Sequence, residues 1–254
     1  MEAVMSSSAQ GSGSLGSVPV SQSEPDTEAT LTPKAARTRA RILEAALTLF
    51  NERGYEGTTM RAVAERAEVS VGNAYYYFAS KEHLVQGYYE RSHDEHLAVC
   101  APQLEGVTDF KERVLIVLRT KLDTIDAYHE FSGKLFATAA DPKSPLSPFS
   151  ADSEPTRKVA IELMQRVIDG SKLKLPKDLA AELPNLLWLH LMSVVLFWIH
   201  DSSPERKRSY AMAERTGEIV ARLVGLARNP LLAPLRKATL RLLAELRPGG
   251  LEQS

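Results

Sequence analysis

The sequence contains a single cysteine, Cys100, among its 254 residues. One thiol excludes a disulfide within the chain and a zinc site built from several cysteines. Such low cysteine usage is typical of a reducing compartment, so we expect a cytoplasmic protein. Cys100 itself is expected to be a buried, inert thiol, and a redox sensor is the alternative.

Basic residues are absent before Lys34, and the first 32 residues are rich in serine and glycine. Because no basic segment is followed by an apolar run, a secretory signal is not expected. The longest apolar stretch, from Leu186 to Ile199, is interrupted by His190 and Ser193 and is shorter than the ~20 residues of a membrane span. We therefore predict a buried helix there and no membrane partner.

Alternating runs of Val, Ile and Thr, which are typical of strands, are also lacking. Strong helix formers dominate instead, and apolar residues recur at spacings of three and four, which predicts an all-α protein. Composition suggests three parts: a disordered leader at 1–32, a short-helix segment at 33–81 and a helical remainder at 82–254. In the remainder we expect helices at 108–139, 153–170, 178–201, 205–227 and 231–246, with a long loop from Asp141 to Pro155.

Motifs of enzymes and metalloproteins are missing as well. The sequence has no nucleophile elbow, phosphate-binding loop, HExxH motif or paired carboxylate set, so neither an enzyme nor a bound cofactor is expected. His93, Asp94 and His96 lie within one helical turn, but no further ligand accompanies them. We therefore expect no metal site.

Charge is unevenly distributed along the chain, although the net charge is only -1. Residues 33–81 contain eight basic and five acidic residues, whereas residues 1–32 contain four acidic residues and no basic ones. Only the middle segment therefore suits a polyanion. Its first four basic residues are Lys34, Arg37, Arg39 and Arg41. They either lie along a DNA groove or contact its phosphates; the alternative is that they form only a solvated helix face.

Short, capped helices are predicted within this basic segment. The first runs from about Lys34 to Arg53, and Gly54 supplies a left-handed C-cap. A residue with a capping hydroxyl precedes each later helix. Thr58 or Thr59 is expected to cap the second helix, which extends through Ala67, and Ser70 to cap the third, which ends near Phe78. Ser80 is expected to cap a longer fourth helix. A capped helix, a tight turn and a second capped helix are typical of a helix-turn-helix, whose second helix enters the major groove of DNA.

The third helix carries residues suited to that groove. Gly72 removes a side chain where the helix must approach the duplex, Asn73 can pair with an adenine edge, and Val71 can meet a thymine methyl. Tyr75, Tyr76 and Tyr77 cannot all point inward, so one or two hydroxyls are expected to face phosphate oxygens, with packing alone as the alternative. The N-terminal end at Ser70 and the ammonium of Lys81 would also contact phosphates.

The same segment resembles the N-terminal domain of the TetR/AcrR family of bacterial transcriptional regulators. The resemblance extends over about fifty consecutive residues in order and spacing: Arg41-Ile-Leu-Glu-Ala-Ala, Leu49-Phe, Gly54-Tyr, Thr58-Thr, Val63-Ala, Val69-Ser-Val-Gly, Tyr75-Tyr-Tyr-Phe and Ser80-Lys-Glu. It implies that Thr59, Arg61 and the residues from Ser70 to Lys81 contact operator DNA. Two positions depart from the family pattern. Glu68 replaces the usual turn glycine, which predicts a strained left-handed backbone, and Ala74 replaces a larger apolar residue.

The resemblance also implies a helical C-terminal domain that binds a ligand and forms a homodimer through a four-helix bundle. We expect a hydrophobic or amphipathic small effector. The residues predicted to line its pocket, for which ordinary core packing is the alternative, are Tyr128, Phe131, Met164, Trp188 and Met192, with His129, Phe136 and His190 as further candidates. The predicted dimer interface consists of Leu191, Val195 and Trp198 on one helix and Ile219 and Leu223 on the next. The resulting hypothesis is a ligand-responsive repressor on a palindromic operator. The alternatives are an activator of the same family and a helical interaction module without specific DNA binding.

Overall fold

The computed structural model describes residues 32–141 and 143–245, apart from the side chain of Ala244. Within this part of the chain the regular structure is helical and contains no strand, which confirms the all-α prediction. The disordered leader expected at 1–32 lies outside the described residues except for Thr32. The α-helices are α1 (Pro33–Arg53), α2 (Met60–Arg66), α3 (Val71–Tyr77), α4 (Lys81–Leu104), α5 (Phe110–Ile125), α6 (His129–Ala139), α7 (Glu154–Asp169), α8 (Lys177–Ile199), α9 (Lys207–Ala227) and α10 (Ala233–Glu245).

Helix α1 begins and ends close to the predicted positions. The hydroxyl of Thr32 accepts a hydrogen bond from the backbone N–H of Ala35 at 3.3 Å, and proline follows at the first helical position, where its missing N–H costs nothing. At the other end, Gly54 has φ 75° and its N–H donates to the carbonyl of Phe50 at 2.9 Å. The expected positive φ is therefore present, although ψ of 169° places Gly54 outside the left-handed helical region.

The turn between α2 and α3 has the conformation that the sequence predicts. Thr59 caps α2, since its hydroxyl accepts the N–H of Ala62 at 3.2 Å, and the hydroxyl of Ser70 caps α3. Between the two helices Glu68 has φ 53°, in the left-handed region that favours glycine. The next residue, Val69, closes the turn by donating its N–H to the carbonyl of Ala64 at 3.0 Å.

Two details of the predicted helices are wrong. Ser80 precedes α4, but its hydroxyl bonds to Nδ1 of His83 at 2.9 Å and makes no capping bond to the backbone. The single helix expected at 108–139 is divided by a 3-10 turn at Asp126–Tyr128. No glycine or proline marks that division in the sequence. Tertiary contacts flank it instead: the guanidinium of Arg206 donates to Asp126, and Nε2 of His129 bonds to a carbonyl of α8.

The helices bury two hydrophobic cores. The first is formed by α1, α2, α3 and the start of α4, and it is closed by α6 through Phe131 and Leu135. The second is formed by the rest of α4 with α5, α7, α8 and α9. Helix α4 therefore contributes to both cores, with Leu84 and Tyr88 in the first and Cys100 and Leu104 in the second. The first core thus extends past residue 81, where the sequence suggested a boundary.

Helix α8 is longer than its uninterrupted apolar stretch. It has 23 residues and an 18-residue window of mean hydropathy 1.5, so by length and composition it is long enough to cross a membrane. The expectation that the segment is too short for a span is therefore corrected. The helix packs against α6, α7, α9 and α10, and it buries Leu183, Leu187 and Val194 in the second core, as expected for a core helix.

A buried arginine joins three helices of the second core. Arg113 of α5 donates from Nε to the carbonyl of Val167 at 2.8 Å and from Nη2 to that of Arg166 at 2.8 Å. Its Nη1 donates to the carbonyls of Leu104 and Val107 at 2.8 and 2.7 Å. These acceptors lie at or just beyond the C-terminal ends of α4 and α7, where carbonyls lack partners within the helix and a cation is favoured.

Candidate nucleic-acid interface and internal cavity

Helix α3 presents most of its predicted contact residues to solvent. Val71 is 41% exposed, Tyr75 49% and Tyr76 79%, and Asn73 is also exposed. Tyr77 is half-buried, and its ring centroid lies 5.1 Å from that of Tyr76 in an edge-on arrangement. The expectation that one or two of the three tyrosines face outward is therefore correct.

The start of α3 leaves room for a partner outside the chain. The hydroxyl of Ser70 accepts the N–H of Asn73 at 3.1 Å, which holds the first turn. A Cβ atom built on Gly72 would meet no atom within 4 Å. Packing within the chain therefore does not require glycine at this position. Ala74, on the inner side of α3, is fully buried against the first core.

The remaining predicted contacts lie beside α3. Arg61 of α2 is exposed, and the hydroxyl of Thr59 is used in capping. Lys81 is half-buried: its ammonium donates to the carbonyl of Tyr55 at 3.0 Å and lies 4.4 Å from the centre of that tyrosine ring. One of its donors is therefore engaged within the chain, so a phosphate contact would use another.

The basic residues of α1 do not all share one environment. Arg39 donates to Glu90 of α4 at 2.7 Å, and its guanidinium lies 4.9 Å from the ring centre of Phe78. This arginine thus stabilises the contact of α1 with α4 and the end of α3. Lys34, Arg37 and Arg41 are exposed to solvent.

A cavity of about 570 Å³ lies between α4, α5, α6, α7, α8 and the loop that precedes α7. Four of the predicted pocket residues line it, Phe136, Met164, Trp188 and Met192, whereas His129 and His190 do not. The predictions for Tyr128 and Phe131 are wrong, because both belong to the first core. Phe131 is only 2% exposed, and its ring lies 5.7 Å from that of Phe50 and 4.9 Å from that of Tyr88.

The polar part of the cavity was not predicted. Lys121 of α5 is half-buried and lines the cavity; its ammonium donates to the hydroxyl of Ser92 at 2.9 Å. Burial lowers the pKa of Lys121 to about 8. Beside it, Nε2 of His96 lies 3.1 Å from the carbonyl of Val117, and burial lowers the pKa of His96 to about 3, so this ring is neutral. The sequence offered one signal, since Lys121 lies among the apolar residues of α5.

The predicted dimer residues divide between core and surface. Leu191 and Trp198 are 5% and 1% exposed and pack in the second core, so they are not available to a partner, and Val195 is half-buried. Ile219 and Leu223 of α9 are exposed, at 54% and 58%. The large apolar residues that α8 and α9 expose, called here the α8–α9 apolar surface, are Leu189, Leu196, Phe197, Ile219, Leu223 and Leu226.

The sequence also raised two other kinds of site, a metal site and a redox-active cysteine. Across the described ranges, no three or more His, Cys, Asp or Glu side chains are grouped so that they could hold a metal ion. Cys100 is fully buried, and burial raises the pKa of its thiol above the usual value, which disfavours the reactive thiolate.

The structure combines a helix-turn-helix module with a helical domain that contains an internal cavity, which is the architecture of a DNA-binding regulator. Residues 42–88 match the family model described as bacterial regulatory proteins, tetR family. Residues 113–239 match a second model, described as a tetracyclin repressor-like C-terminal domain. The chain belongs to the TetR family of bacterial regulators.

Curated relatives match over a short part of the chain. The repressor KstR of Rhodococcus jostii is 60% identical over 47 residues, which are 18% of this chain and 22% of that protein. KstR of Mycobacterium tuberculosis is 53% identical over 47 residues, 18% of this chain and 21% of the relative. The match thus spans about a fifth of the length of these relatives.

Solved structures share the fold over most of the chain. A TetR regulator from Nitrosomonas europaea aligns with a TM-score of 0.57 and 16% identity, covering 73% of this chain and 98% of that one. The fatty acid degradation regulator FadR from Bacillus halodurans aligns with a TM-score of 0.56 and 17% identity, covering 72% and 97%. At this identity the similarity shows the fold alone.

Proposed function

We propose that the chain is a cytoplasmic, ligand-responsive transcriptional regulator that binds a palindromic operator as a homodimer and represses transcription. The observation that carries the proposal is the outer face of α3. There Val71, Asn73, Tyr75 and Tyr76 are exposed together, and the chain leaves open space at Gly72. An exposed face of this composition on the second helix of a helix-turn-helix suits the major groove of DNA.

The side chains on this face suit different parts of a duplex. Asn73 can donate and accept against an adenine edge, and Val71 can contact a thymine methyl, so these two would read sequence. The hydroxyls of Tyr75 and Tyr76 would bond phosphate oxygens and fix the position of α3 without reading sequence. Thr59, Arg61, Ser70, Tyr77 and Lys81 complete the proposed contact set around α3.

Dimerisation would use the α8–α9 apolar surface. Nε2 of His190 on α8 lies 2.8 Å from the hydroxyl of Thr216 on α9, which holds the two helices side by side. Exposed leucine, isoleucine and phenylalanine side chains on adjacent helices favour burial against a second copy. Two copies related by a two-fold axis would present two α3 helices to the half-sites of a palindrome.

Helix α4 would connect the effector cavity with the DNA-binding module, which we assign to residues 33–81, with 82–254 as the effector and dimer domain. Tyr88 and Ser92 of α4 line the cavity, and Leu84 packs in the first core. A Cβ on Gly87 would approach a ring carbon of Phe78, the residue that ends α3, at 2.8 Å. A ligand that shifts α4 would therefore shift α3 and alter the spacing of the two recognition helices.

The proposal is tested by incubating the purified protein with fragments of its own genome, including the DNA that flanks its gene, and recovering bound fragments at moderate salt. We expect a short palindromic site bound by two chains. A reporter gene placed behind that site then separates repression from activation. Absence of enrichment over random duplex at every salt concentration would favour the helical interaction module instead.

A further inference from the structure

The cavity contains positive charge without a matching acid. Two of its lining residues, Lys121 and Arg157, carry a positive charge, and among the described residues no aspartate or glutamate lines it. Burial of an unpaired charge is costly, so a charged group in such a place normally has a partner of opposite sign. The charge of this cavity therefore favours a ligand that brings a negative group.

Lys121 and Arg157 differ in how well the chain satisfies them. The guanidinium of Arg157 donates to the carbonyls of Pro148 and Ser150 at 2.8 and 3.0 Å, and it thereby holds the loop before α7. The ammonium of Lys121 bonds only to Ser92, through its hydroxyl at 2.9 Å and its carbonyl at 3.4 Å. A primary ammonium has three donors, so Lys121 is the cation that a ligand can still bind.

One acid acts on Lys121 from outside the cavity wall: the charge of Glu95 raises the pKa of Lys121, against the larger effect of burial, but Glu95 does not line the cavity. Glu95, on α4, accepts a bond from Nε of Arg91 at 2.8 Å and forms an ion pair with that arginine. His96 is neutral because of its burial, and the pKa of His93 is also lowered by burial. Among the described residues, those that α6 and α8 contribute to the cavity include no acid or base.

The rest of the wall includes serine and threonine side chains but is mostly apolar, with Leu163, Met164, Trp188, Met192 and Trp198 among its members. The volume of about 570 Å³ falls within the range of roughly 300–1,000 Å³ of small-molecule sites. An ammonium with a free donor in a mostly apolar wall matches a molecule with an apolar body and an anionic head.

We propose that the cavity binds a carboxylic acid with a long apolar chain, whose carboxylate pairs with the ammonium of Lys121 beside Ser92. The chain of the ligand lies against Met164, Trp188 and Met192. The identification of this acid as the effector rests on the proposed function; the binding itself does not.

Intrinsic fluorescence tests the binding directly, because both tryptophans of the chain, Trp188 and Trp198, line the cavity. The full chain is titrated with dodecanoate, dodecan-1-ol and methyl dodecanoate below their aggregation concentrations. We expect dodecanoate to bind at least about tenfold more tightly than the two uncharged compounds, a difference of about 1.4 kcal/mol. Equal affinity for all three compounds, or no binding of dodecanoate, would overturn the proposal.

Variants of Lys121 locate the head group. Lys121→Met keeps the apolar stem and should lower the affinity for dodecanoate about tenfold while leaving that for dodecan-1-ol unchanged. Lys121→Arg should retain the preference for the acid. Lys111→Met is the matched control, since Lys111 is an exposed lysine of the same helix that does not line the cavity. A preference for the acid that survives in folded Lys121→Met, as judged by circular dichroism, would contradict the assignment.

Operator binding, measured on the same samples, separates this inference from the proposed function. If dodecanoate binds but DNA is not released, the ligand class stands and the effector role fails. If DNA is bound specifically but no carboxylate binds, the regulator stands and the inference fails.

Discussion

Single residues would determine how closely the proposed recognition helix α3 approaches DNA. Gly72 and Gly133 both lie on helices, and at neither position would an added Cβ meet an atom of the chain within 4 Å. They differ only in place, since Gly72 lies on the proposed recognition face and Gly133 on α6. The pair therefore separates an effect on folding from an effect on DNA contact.

Gly72→Ala should weaken operator binding by about tenfold or more, because the new methyl would occupy space needed by the duplex. Gly133→Ala should leave operator affinity unchanged. Both variants should be at least as stable as the wild type, since alanine favours helix. Fluorescence anisotropy with a labelled operator measures the affinities. Equal affinities of the two variants would show that α3 does not approach DNA at Gly72.

Lys121 predicts a pH dependence of carboxylate binding. The pKa of Lys121 in the unliganded chain is lowered to about 8, so the ammonium is present below that pH and is lost above it. The affinity for dodecanoate should be constant between about pH 6 and 7.5 and should fall by up to tenfold per unit above about pH 8. Lys121→Arg should remove the fall, because a guanidinium stays protonated. A wild-type affinity that is flat up to about pH 10 would contradict this role.

At the scale of elements, the sequence predicted the short N-terminal helices well because their ends are marked locally. Thr59 and Ser70 cap α2 and α3, and Glu68 adopts the left-handed turn between them. The orientation of α8 was not predictable, because this helix is apolar on nearly every side. As a result, Leu191 and Trp198 were assigned to the surface, whereas they are buried.

Arg113 gives a prediction for the packing of α4, α5 and α7. Arg113→Met should lower the free energy of unfolding by about 3 kcal/mol or more, because four bonded carbonyls lose a charged donor. Arg119→Met, on the same helix, is the control. The Arg119 side chain is 40% exposed and forms ion pairs with Glu112 and Glu214. Exposed ion pairs of this kind contribute about 0–1 kcal/mol to the free energy of unfolding. Urea unfolding of both variants measures the difference, and equal losses would show that Arg113 is not a structural link.

At the scale of the whole molecule, the sequence predicted an all-α chain with a helix-turn-helix but did not predict how the two hydrophobic cores meet. Tyr128 and Phe131 were assigned to the pocket, yet the 3-10 turn that ends at Tyr128 and helix α6, which carries Phe131, direct these residues toward the first core. Lys121 was missed because its role depends on how α4 packs against α5, which places Ser92 and His96 beside it. The one signal in the sequence, a lysine among apolar residues of α5, does not show which side chains lie beside it.

Dimerisation provides a test at this scale. Leu223→Glu places a charge on the α8–α9 apolar surface and should shift the mass measured by light scattering from two chains to one. The affinity for the operator should also fall, because a single chain contacts only one of the two half-sites. Val99→Glu is the control, since Val99 is 42% exposed on α4 and lies outside that surface. A Leu223→Glu protein that remains a dimer would place the interface elsewhere.

Sequence-specific DNA binding by α3 underlies the proposed function. Its most direct test is a competition, at physiological salt, between the selected palindromic operator and a scrambled duplex of equal length and composition. We expect two chains to bind the operator at least about 10³-fold more tightly than the scrambled duplex. Equal affinity for both duplexes, falling in parallel as salt is raised, would mean that the chain binds only the phosphate backbone and that α3 does not read sequence.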